Sequence, residues 1–448
     1  MNVENIRKGY KIVKFLFGEY YEMPDSWQIK TFGELFEFLK TGTNSRDDLS
    51  EDGDVHYIHY GDIHVKWHGL LDCNTEKIPF VDKTKIRDLP FLKDGDLIIA
   101  DASEDHEGSG SSILLKNIKN RRIVSGLHTI ALRNTDGNVY PEFARYLTSI
   151  KFVKRQIVAY VTGISVFGLS KNNLKKIRTP LPTMAEQQKI ATLLSNVDSL
   201  INQTQKIIEQ TQRLRKGLMQ QLLTKGIGHT KFKKVSWYFG KDIEIPEDWE
   251  IKYLNEIAEV KGRVGWKGYT QEDFVEKGQG AISLGANNIS KENRLDLTEL
   301  TYVTWLKYDE SPEIQVSKSN IILAQRGSIG KVAIINHELG KTTINPNVVL
   351  IKSPKYGSDF LYYALISVYV GKQMSSITSS TTIPLLTQGQ INKFKILIPP
   401  LNEQQKIASI LSNVDSQIYK QQEYKSKLKS LKKGLMQKLL TGQIRVKV

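Results

Sequence analysis

Two segments of the chain carry apolar residues in a seven-residue rhythm that no proline interrupts. In the first segment, residues spaced alternately by four and three are Ile190, Leu194, Val197, Ile201, Thr204, Ile208, Thr211, Arg215, Leu218 and Leu222. In the second segment they are Ile407, Leu411, Val414, Ile418, Gln421, Lys425, Leu428, Lys432, Leu435 and Leu439. This periodicity predicts two long helices, each with a coiled-coil seam. The polar residues in the middle of each seam favour a specific partner.

The two predicted helices are copies of one sequence. EQQKIATLLSNVDSLI, which begins at Glu186, returns as EQQKIASILSNVDSQI at Glu403, an offset of 217 residues. KGLMQQLLT at Lys216 returns as KGLMQKLLT at Lys433 with the same offset. Self-similarity at a fixed offset is the signature of a duplicated unit, here about half of the chain.

Outside the helices the two copies have diverged almost completely. In both copies the diverged region begins with a Pro-x-x-Trp segment, which ends at Trp27 or Trp249. It ends with a proline-terminated segment before the helix. Short apolar runs between these points, such as Asp96–Ala100 and Asn320–Ala324, are bounded by Gly, Asn and Asp and predict strands. We therefore predict an α+β fold with two diverged globular domains in tandem repeat, together with two long helices.

Each long helix also contains a glycine at the same place, Gly217 and Gly434. A glycine inside a helix costs about 1 kcal/mol relative to alanine, so we interpret both as points where a partner helix comes close. The predicted helix-pair and partner interface consists of Ile190, Leu194, Val197, Ile201, Gly217, Leu218, Ile407, Leu411, Val414, Ile418, Gly434 and Leu435.

Composition and charge narrow the class of protein. Hydrophobic residues make up 40% and charged residues 25% of the chain, as in folded globular proteins. The single cysteine, Cys73, excludes an internal disulfide framework. With neither a signal-like apolar start nor a run long enough to span a bilayer, the sequence predicts a cytoplasmic protein. The net charge of +15 favours a polyanionic partner.

Motifs that could carry catalysis are incomplete. Asn345-Pro346-Asn347 is similar to part of the tetrad with which amino-methyltransferases hold a base, but it lacks the second proline and the aromatic residue, so a turn explains it better. Gly327–Val332 has neither the spacing of a phosphate-binding loop nor a Ser or Thr after its lysine. The histidines between His56 and His68 fall on both strand parities, which disfavours a metal site. We predict no catalytic residue and no metal ligand.

The loops offer nucleic-acid chemistry instead, because they combine Arg, Lys, amides and hydroxyls with glycines. In the first copy the predicted DNA contacts are Thr41, Thr43, Asn44, Arg46, His64, Lys66, Trp67, Ser103, His128, Thr162 and Ser165. In the second copy they are Arg263, Trp266, Lys267, Asn287, Asn288, Gln325, Arg326, Ser328, Lys331, Asn347, Ser379, Thr381 and Thr382. The first copy differs in carrying an acidic loop, Asp101–Glu107. The sequence therefore does not identify which side chains of the first copy read bases.

The paired EQQKIA and LSNVDS helices, their KGLMQ endings and the Pro-x-x-Trp entries resemble the specificity subunit of Type I restriction–modification systems over essentially the whole chain. The resemblance implies two target-recognition domains joined by two long helices that pack as an antiparallel coiled coil. It implies double-stranded DNA, two methyltransferase subunits and two motor/nuclease restriction subunits as partners. It also implies that this chain holds no cofactor, since S-adenosylmethionine, ATP and Mg²⁺ belong to the partner subunits.

The predicted organisation is a linker-like segment at 1–20, a first recognition domain at 21–183, a spacer helix at 184–228, a linker and second recognition domain at 229–400, and a spacer helix with the C-terminal tail at 401–448. Two unlike domains predict an asymmetric, bipartite DNA site read by a non-catalytic subunit. Three alternatives stay open: a specificity protein of a modification-only complex, a self-contained methyltransferase or nuclease, and a coiled-coil scaffold that binds no nucleic acid.

Overall fold

A computed structural model of the protein describes residues 6–14, 20–67, 69–105, 108–163, 166–237, 241–263, 268–352, 356–378 and 385–448. Its contacts divide the chain into two compact units. The first unit combines Met1–Gln205 with Tyr424–Val448, and the second is Lys206–Glu423. Each unit therefore takes its globular domain together with one half of each long helix, whereas the boundaries predicted from the sequence follow the order of the chain.

The first unit contains fifteen strands: β1 Tyr10–Lys14, β2 Tyr20–Pro24, β3 Gln28–Thr31, β4 Glu37–Leu39, β5 Leu49–Ser50, β6 Val55–Ile58, β7 Gly69–Asp72, β8 Phe80–Val81, β9 Leu97–Ala100, β10 Ala102–Ser103, β11 Ser112–Lys116, β12 Ile123–Ser125, β13 Thr129–Arg133, β14 Phe167–Gly168 and β15 Arg178–Leu181, among its described residues. Its helices are α1 Phe32–Leu35, α2 Tyr60–Val65, α3 Pro141–Ala144, α4 Lys151–Tyr160, α5 Lys171–Lys176 and the start of the long α6, Met184–Leu222. Short 3₁₀ turns lie at Arg46–Asp48, Lys83–Lys85 and Leu147–Ser149.

The described part of the second unit contains β16 Phe232–Ser236, β17 Asp242–Pro246, β18 Glu250–Tyr253, β19 Glu259–Gly262, β20 Phe274–Val275, β21 Ala281–Leu284, β22 Thr301–Val303, β23 Ile321–Ala324, β24 Val332–Ile334, β25 Thr342–Ile344, β26 Val348–Lys352 and β27 Lys395–Ile398. Its helices are α7 Leu254–Ile257, α8 Trp305–Asp309, α9 Ser358–Leu365, α10 Val368–Thr378, α11 Gln388–Asn392 and the start of the long α12, Leu401–Leu439. Its 3₁₀ turns lie at Gln271–Asp273, Ala286–Asn288 and Pro312–Ile314.

The two units have the same sheet topology. The main sheet has the order β4-β13-β9-β11-β7 in the first unit and β19-β26-β23-β24 in the second, so only the edge strand β7 is extra. The second sheet is β12-β6-β8-β5 in one unit and β25-β21-β22-β20 in the other. The shared order shows that the duplication extends into the domains whose sequences have diverged.

The central strands β9 and β23 explain where the cores lie. Alternate residues of a strand point to opposite faces of the sheet. In β9, Leu97 and Ile99 enter one apolar core while Ile98 and Ala100 enter another. In β23 the alternate residues likewise divide between two cores. Both strands are buried on both faces, which is why their sequences, LIIA and IILA, read as continuous apolar runs.

The long helices α6 and α12 pack together and run antiparallel. In the first unit the Nζ atom of Lys432 lies 2.5 Å from a carboxylate oxygen of Asp198, and the ammonium of Lys425 donates to the amide oxygen of Gln205. In the second unit Arg215 pairs with Asp415. Partner numbers fall along α12 as they rise along α6, as an antiparallel pair requires. The α+β class, the tandem domains and the antiparallel helices predicted from the sequence are therefore confirmed.

The predicted seam is largely buried. Ile190 and Leu194 lie in the core of the first unit, and Ile407 and Leu411 lie in the core of the second. Val197, Val414 and Ile418 are also buried, whereas Ile201, Leu218 and Leu435 are partly exposed.

The structure shows no close contact within this chain at the two helical glycines, and their predicted place at a partner interface stays a prediction. A Cβ atom added to Gly217 or Gly434 would meet no described atom within 4 Å. Within the described residues, no helix is both long enough and apolar enough to span a lipid bilayer.

Candidate nucleic-acid interface

Three loops of the first unit meet where β6, β9 and β12 end. The backbone N–H of Asp101 donates to the carbonyl of His128 at 3.0 Å, and Gly126 donates to Ile58 at 2.9 Å. The segment after β14 joins them, because Leu169 donates to the carbonyl of Asp101 at 2.7 Å. These bonds hold the loop backbones in place whatever side chains they carry.

The second unit repeats the same backbone bonds with other residues. Gln325 donates to the carbonyl of Asn347 at 2.9 Å, Asn345 donates to Leu284 at 2.8 Å, and Leu386 donates to Gln325 at 3.1 Å. The bonds make Gln325 the equivalent of Asp101, and Asn347 the equivalent of His128. We call His59, Tyr60, His64, Asp101 and His128 the first rim, and Asn287, Gln325, Arg326, Asn345 and Asn347 the second rim.

The first rim is built around the ring of Tyr60. Its ring centroid lies 4.7 Å from that of His59, 6.2 Å from that of His64 and 5.2 Å from that of His128. The Nδ1 atom of His128 lies 3.2 Å from a carboxylate oxygen of Asp101. Burial raises the pKa of Asp101, and burial together with nearby Arg46 lowers the pKa of His59. The rim therefore presents the rings of Tyr60, His64 and His128, while His59 is buried.

A buried carboxylate holds two cations in place beside the first rim. Asp62, in α2, is 1% exposed and accepts from Arg46 at 3.1 Å. The ammonium of Lys66 lies 2.9 Å from the same carboxylate. Both cations are about half exposed, so they are held in fixed positions and still face solvent. Such cations suit phosphate contacts.

The second rim consists of amides and one guanidinium. Asn287, Arg326 and Asn347 are exposed, while Gln325 is nearly buried and donates to the carbonyl of Pro346 at 2.7 Å. Asparagine and glutamine read adenine, and arginine reads guanine, through paired hydrogen bonds in the major groove. The exposed Asn287, Arg326 and Asn347 therefore have the side chains for direct base readout.

A glycine brings the amides of the second rim together. A Cβ atom on Gly285 would lie 2.3 Å from Nδ2 of Asn345 and 2.8 Å from Oδ1 of Asn287. Any larger residue would push the two side chains apart. The backbone N–H of Asn347 also donates to Oδ1 of Asn345 at 2.9 Å, which fixes the orientation of that amide.

Burial removes several predicted DNA contacts from the surface. Trp67 is 2% exposed and packs in a core of the first unit. Arg263 is 4% exposed, and its guanidinium reaches the backbone carbonyls of the second unit, including that of Ile344. Asn288 is 2% exposed and binds the carbonyls at the end of its own loop. Ser103 is also buried, where it accepts from a backbone N–H. Their sequence context suggested loops, but the tertiary structure uses them internally.

Of the remaining predicted contacts, Gln325 is 8% exposed and its amide donates to the carbonyl of Pro346, and the others divide into two groups. Those at least partly exposed in the two units are Thr41, Thr43, Asn44, Arg46, His64, Lys66, His128, Thr162, Asn287, Arg326, Ser328, Lys331 and Asn347. Those outside the described residues are Ser165, Trp266, Lys267, Ser379, Thr381 and Thr382. The DNA-binding role of both groups stays a prediction.

The first residues that sequence reasoning missed are the buried carboxylates at the start of each long helix. Glu186 accepts from the indole N–H of Trp27 at 3.0 Å and from Arg445 at 2.9 Å. Glu403 accepts from the indole N–H of Trp249 at 2.9 Å and lies 2.9 Å from Nε2 of His229. Each carboxylate therefore ties the domain entry to the helix.

One group in the described residues has the geometry of metal ligands. The ligand atoms of His229, Asp248 and Glu403 all lie within 4.8 Å of one another. The carboxylate of Glu403 already has three hydrogen-bond partners, however, because the backbone N–H of Ile227 donates to it at 2.7 Å in addition to Trp249 and His229. Since Glu186 makes the equivalent contacts with Arg445 instead of a histidine, we interpret the group as a structural junction.

A second missed set joins each domain to the helix pair. Tyr146 donates to Asp198 at 2.9 Å, and Tyr363 donates to Asp415 at 2.9 Å. A signal was available, since both tyrosines and both aspartates recur as identical residues 217 positions apart. These polar repeats lie outside the apolar periodicity of the helices.

Comparisons with known proteins agree with this architecture. Residues 24–213 and 246–430 match the family described as Type I restriction modification DNA specificity domain. The Type I restriction enzyme MjaVIII specificity subunit of Methanocaldococcus jannaschii is 26% identical over 456 residues, which cover 99% of this chain and 98% of that protein. The chain is a member of the Type I restriction–modification specificity-subunit family, and its two domains are DNA-recognition domains of that family.

Two solved structures share the fold. The Type I S subunit from M. genitalium matches with a TM-score of 0.57 at 16% identity, covering 92% of this chain and 96% of that one. A structure described as the basis of complex assembly and conformational transition of the type I R-M system matches with a TM-score of 0.54 at 16% identity, covering 95% of this chain and all of that one. At these identities the likeness concerns the fold.

Proposed function

We propose that the chain is the non-catalytic subunit that reads a bipartite, asymmetric DNA site and holds the methyltransferase and restriction subunits of a Type I complex. The observation that carries the proposal is the pair of rims. The same three backbone bonds present a histidine-, tyrosine- and aspartate-bearing rim in one unit and an amide and arginine rim in the other. Two equivalent frames with unlike side chains are suited to two unlike half-sites.

The outer surface of the long helices supports the scaffolding role. Large apolar residues recur every seven positions on α6, at Leu193, Leu200, Ile207 and Leu214, and each is more than a third exposed. The equivalent positions of α12 hold exposed Ile410, Tyr424 and Leu431, with Gln417 as the polar exception. An exposed apolar stripe with heptad spacing is a surface for a further helix. We assign the stripe to helices of the methyltransferase subunits.

Catalysis and its cofactors belong, in this proposal, to the partners. The transferred methyl group would come from S-adenosylmethionine on the methyltransferase subunits, and ATP and Mg²⁺ would be bound by the restriction subunits. The chain's own residues position DNA and partners. The predicted cytoplasmic location is part of the same proposal.

The first test is co-expression of the chain with its methyltransferase subunit, followed by mapping of methylated adenines across the host genome. We expect one asymmetric motif with two half-sites and a fixed spacer. Leu200→Glu and Leu431→Glu should abolish co-purification of the methyltransferase subunit, whereas Gln203→Glu, a new charge at an exposed polar position of the same helix, should not. Methyl transfer by the purified chain alone would contradict the proposal.

A second test changes the length of the helix pair. Because α6 and α12 are antiparallel, four residues are inserted both within Gln203–Gln212 and within the equivalent Lys420–Lys429. Four helical residues add ~6 Å, which corresponds to about two base pairs at roughly 3.4 Å each. The methylated motif should gain spacer while both half-sites stay the same. Altered half-sites would contradict the spacer role.

A further inference from the structure

A polar junction of three residues recurs in both units. In the first unit it consists of Tyr146, Asp198 and Lys432, and in the second of Tyr363, Asp415 and Arg215. Each tyrosine hydroxyl donates to its aspartate at 2.9 Å. The cation pairs with the same carboxylate. The Nζ atom of Lys432 lies 2.5 Å from a carboxylate oxygen of Asp198, and two guanidinium nitrogens of Arg215 donate to the two carboxylate oxygens of Asp415.

The three members of a junction come from three different elements. The tyrosine belongs to the recognition domain, the aspartate to the long helix that follows that domain, and the cation to the other long helix. In both units the members are offset by the same 217 residues, from Tyr146 to Tyr363 and from Asp198 to Asp415. One carboxylate thus connects the domain to both helices.

The tyrosines of both junctions are buried, while the charged side chains are 17–29% exposed. Tyr146 is 2% exposed and Tyr363 is 4% exposed, and burial raises the pKa of both phenols. The hydroxyls therefore stay protonated and donate. Additional contacts strengthen each junction: Arg145 pairs with Asp198 in the first unit, and Arg294 donates to the backbone carbonyl of Asp415 at 3.0 Å in the second.

Stability alone is a weak reason for such junctions. An ion pair that is largely removed from water costs desolvation, and apolar residues of the same volume often stabilise a protein as well or better. Apolar packing, however, has little directional preference, whereas hydrogen bonds hold distance and angle. The domains have replaced nearly all of their rim residues, yet both keep the tyrosine, the aspartate and a cation at these places.

We propose that the two junctions are positioning sites that fix the orientation of each recognition domain on the helix pair and thereby hold the DNA site to a single spacer length. The proposal rests on the proposed function, because it presumes a bipartite site. A domain that tilts on its helices would place its rim one base pair nearer or farther along the duplex. The junctions contact no DNA and act through the rims they orient.

The experiment uses the complex of the full chain with its methyltransferase subunits and maps methylated sites in the host genome. Tyr363→Phe and Tyr146→Phe each remove one junction hydroxyl. The matched control is Tyr362→Phe, because the hydroxyl of Tyr362 donates at 2.7 Å to the carbonyl of Asn293, and both residues lie within the recognition domain. All three variants lose one buried hydrogen bond and keep the ring.

We expect both junction variants to methylate sites whose spacer is one base pair longer or shorter, with that fraction rising about tenfold, as the loss of one hydrogen bond to a charged group allows. The half-sites should stay unchanged, and Tyr362→Phe should keep the single spacer. A merely structural role would lower thermal stability in all three variants without changing the spacer distribution.

A second variant tests the junction without depending on a single hydroxyl. The combined Arg215→Met, Tyr363→Phe and Asp415→Leu exchange makes the second junction apolar, and we expect it to fold and still broaden the spacer. Unchanged spacers in Tyr363→Phe, Tyr146→Phe and the apolar variant, or equal broadening in Tyr362→Phe, would overturn the positioning role. If the wild-type complex methylates a site without two half-sites, the proposed function itself fails, which is a different outcome.

Discussion

The two recognition domains share one backbone frame but carry different side chains at their rims. Their sheets follow the same strand order, and the same three backbone bonds hold the loops at the strand ends. The first rim nevertheless carries His59, Tyr60 and Asp101, while the second carries Gln325 and Arg326. Because the frame is held by backbone groups and buried strands, the rim can change without disturbing it.

The domains also differ in how they use charge. The first rim draws its positive charge from Arg46 and Lys66, which are fixed by the buried Asp62. The second rim has Arg326 in an exposed loop. The first unit therefore depends on a buried carboxylate, and the second depends on exposed polar side chains.

Damage to the frame of one unit should leave the other intact. The carboxylate of Glu186 is fully buried and accepts hydrogen bonds from the side chains of Trp27, Thr183 and Arg445. Although burial opposes ionisation, these hydrogen bonds lower the pKa of Glu186 below its ordinary value. Glu186→Ala should destabilise the first unit by about 3 kcal/mol, because it leaves the buried indole N–H without an acceptor.

Hydrogen exchange followed by mass spectrometry measures this effect in each unit separately. Amides of the first unit should exchange faster in Glu186→Ala, and those of the second unit in Glu403→Ala. If either substitution speeds amide exchange equally in both units, the two units do not depend on separate carboxylates.

The chemistry of the second rim should determine one half-site. Arg326→Ala removes its guanidinium and should cost about 1–3 kcal/mol of discrimination at one base pair. Methylation mapping should find the second half-site relaxed at that position and the first half-site unchanged. His128→Ala in the first rim is the mirrored control. If Arg326→Ala relaxes both half-sites, the rims do not act independently.

Acid should weaken the first unit through His59. Its pKa is lowered from 6.5 by burial and by Arg46, so the folded state favours the neutral ring. The stability that the neutral ring contributes is complete above pH 6.5 and is lost as the pH falls through that value towards the folded pKa. We expect His59→Asn to reduce the loss of thermal stability between pH 7.5 and 5.5.

Asparagine is the appropriate replacement because Nδ1 of His59 accepts from the backbone N–H of Gly61 at 3.2 Å, and asparagine also caps helices. Calorimetry at the two pH values measures the effect, which should be a few degrees. An unchanged pH dependence in His59→Asn would contradict the role of this ring.

The smallest effect concerns the glycines of the long helices. Since no described atom lies within 4 Å of an added Cβ at Gly217 or Gly434, Gly→Ala at either position should stabilise the isolated chain by about 1 kcal/mol. Urea unfolding measures the gain. If the same variants fail to bind the methyltransferase subunit, a helix of that partner comes close to the glycines.

Much of the frame was predictable because its signals are local or repeated. The alternation from Ile190 to Leu222 predicted the long helix, and the 217-residue offset predicted the second copy. The strand at Ile321–Ala324 followed from a short apolar run between turn residues. The exposed Arg326 and Asn347 were also predictable, since they are polar residues beside turns.

Other residues could not be assigned from local sequence. Trp67, Arg263 and Asn288 lie in or beside loops, and their types suit DNA, but distant segments bury them. Asp101 and Gln325 both follow a short apolar strand, but only the shared backbone bonds show that the two loops after these strands occupy equivalent places. Burial and long-range pairing depend on the whole fold.

By itself, the sequence determined the duplication, the helical period and the basic charge of this protein, because these properties depend on residue order and composition alone. Only the tertiary structure decided which polar side chains face solvent and which hold the domain together. A loop arginine has the same local sequence in either case, and its role depends on whether carbonyl groups far along the chain come within hydrogen-bonding distance.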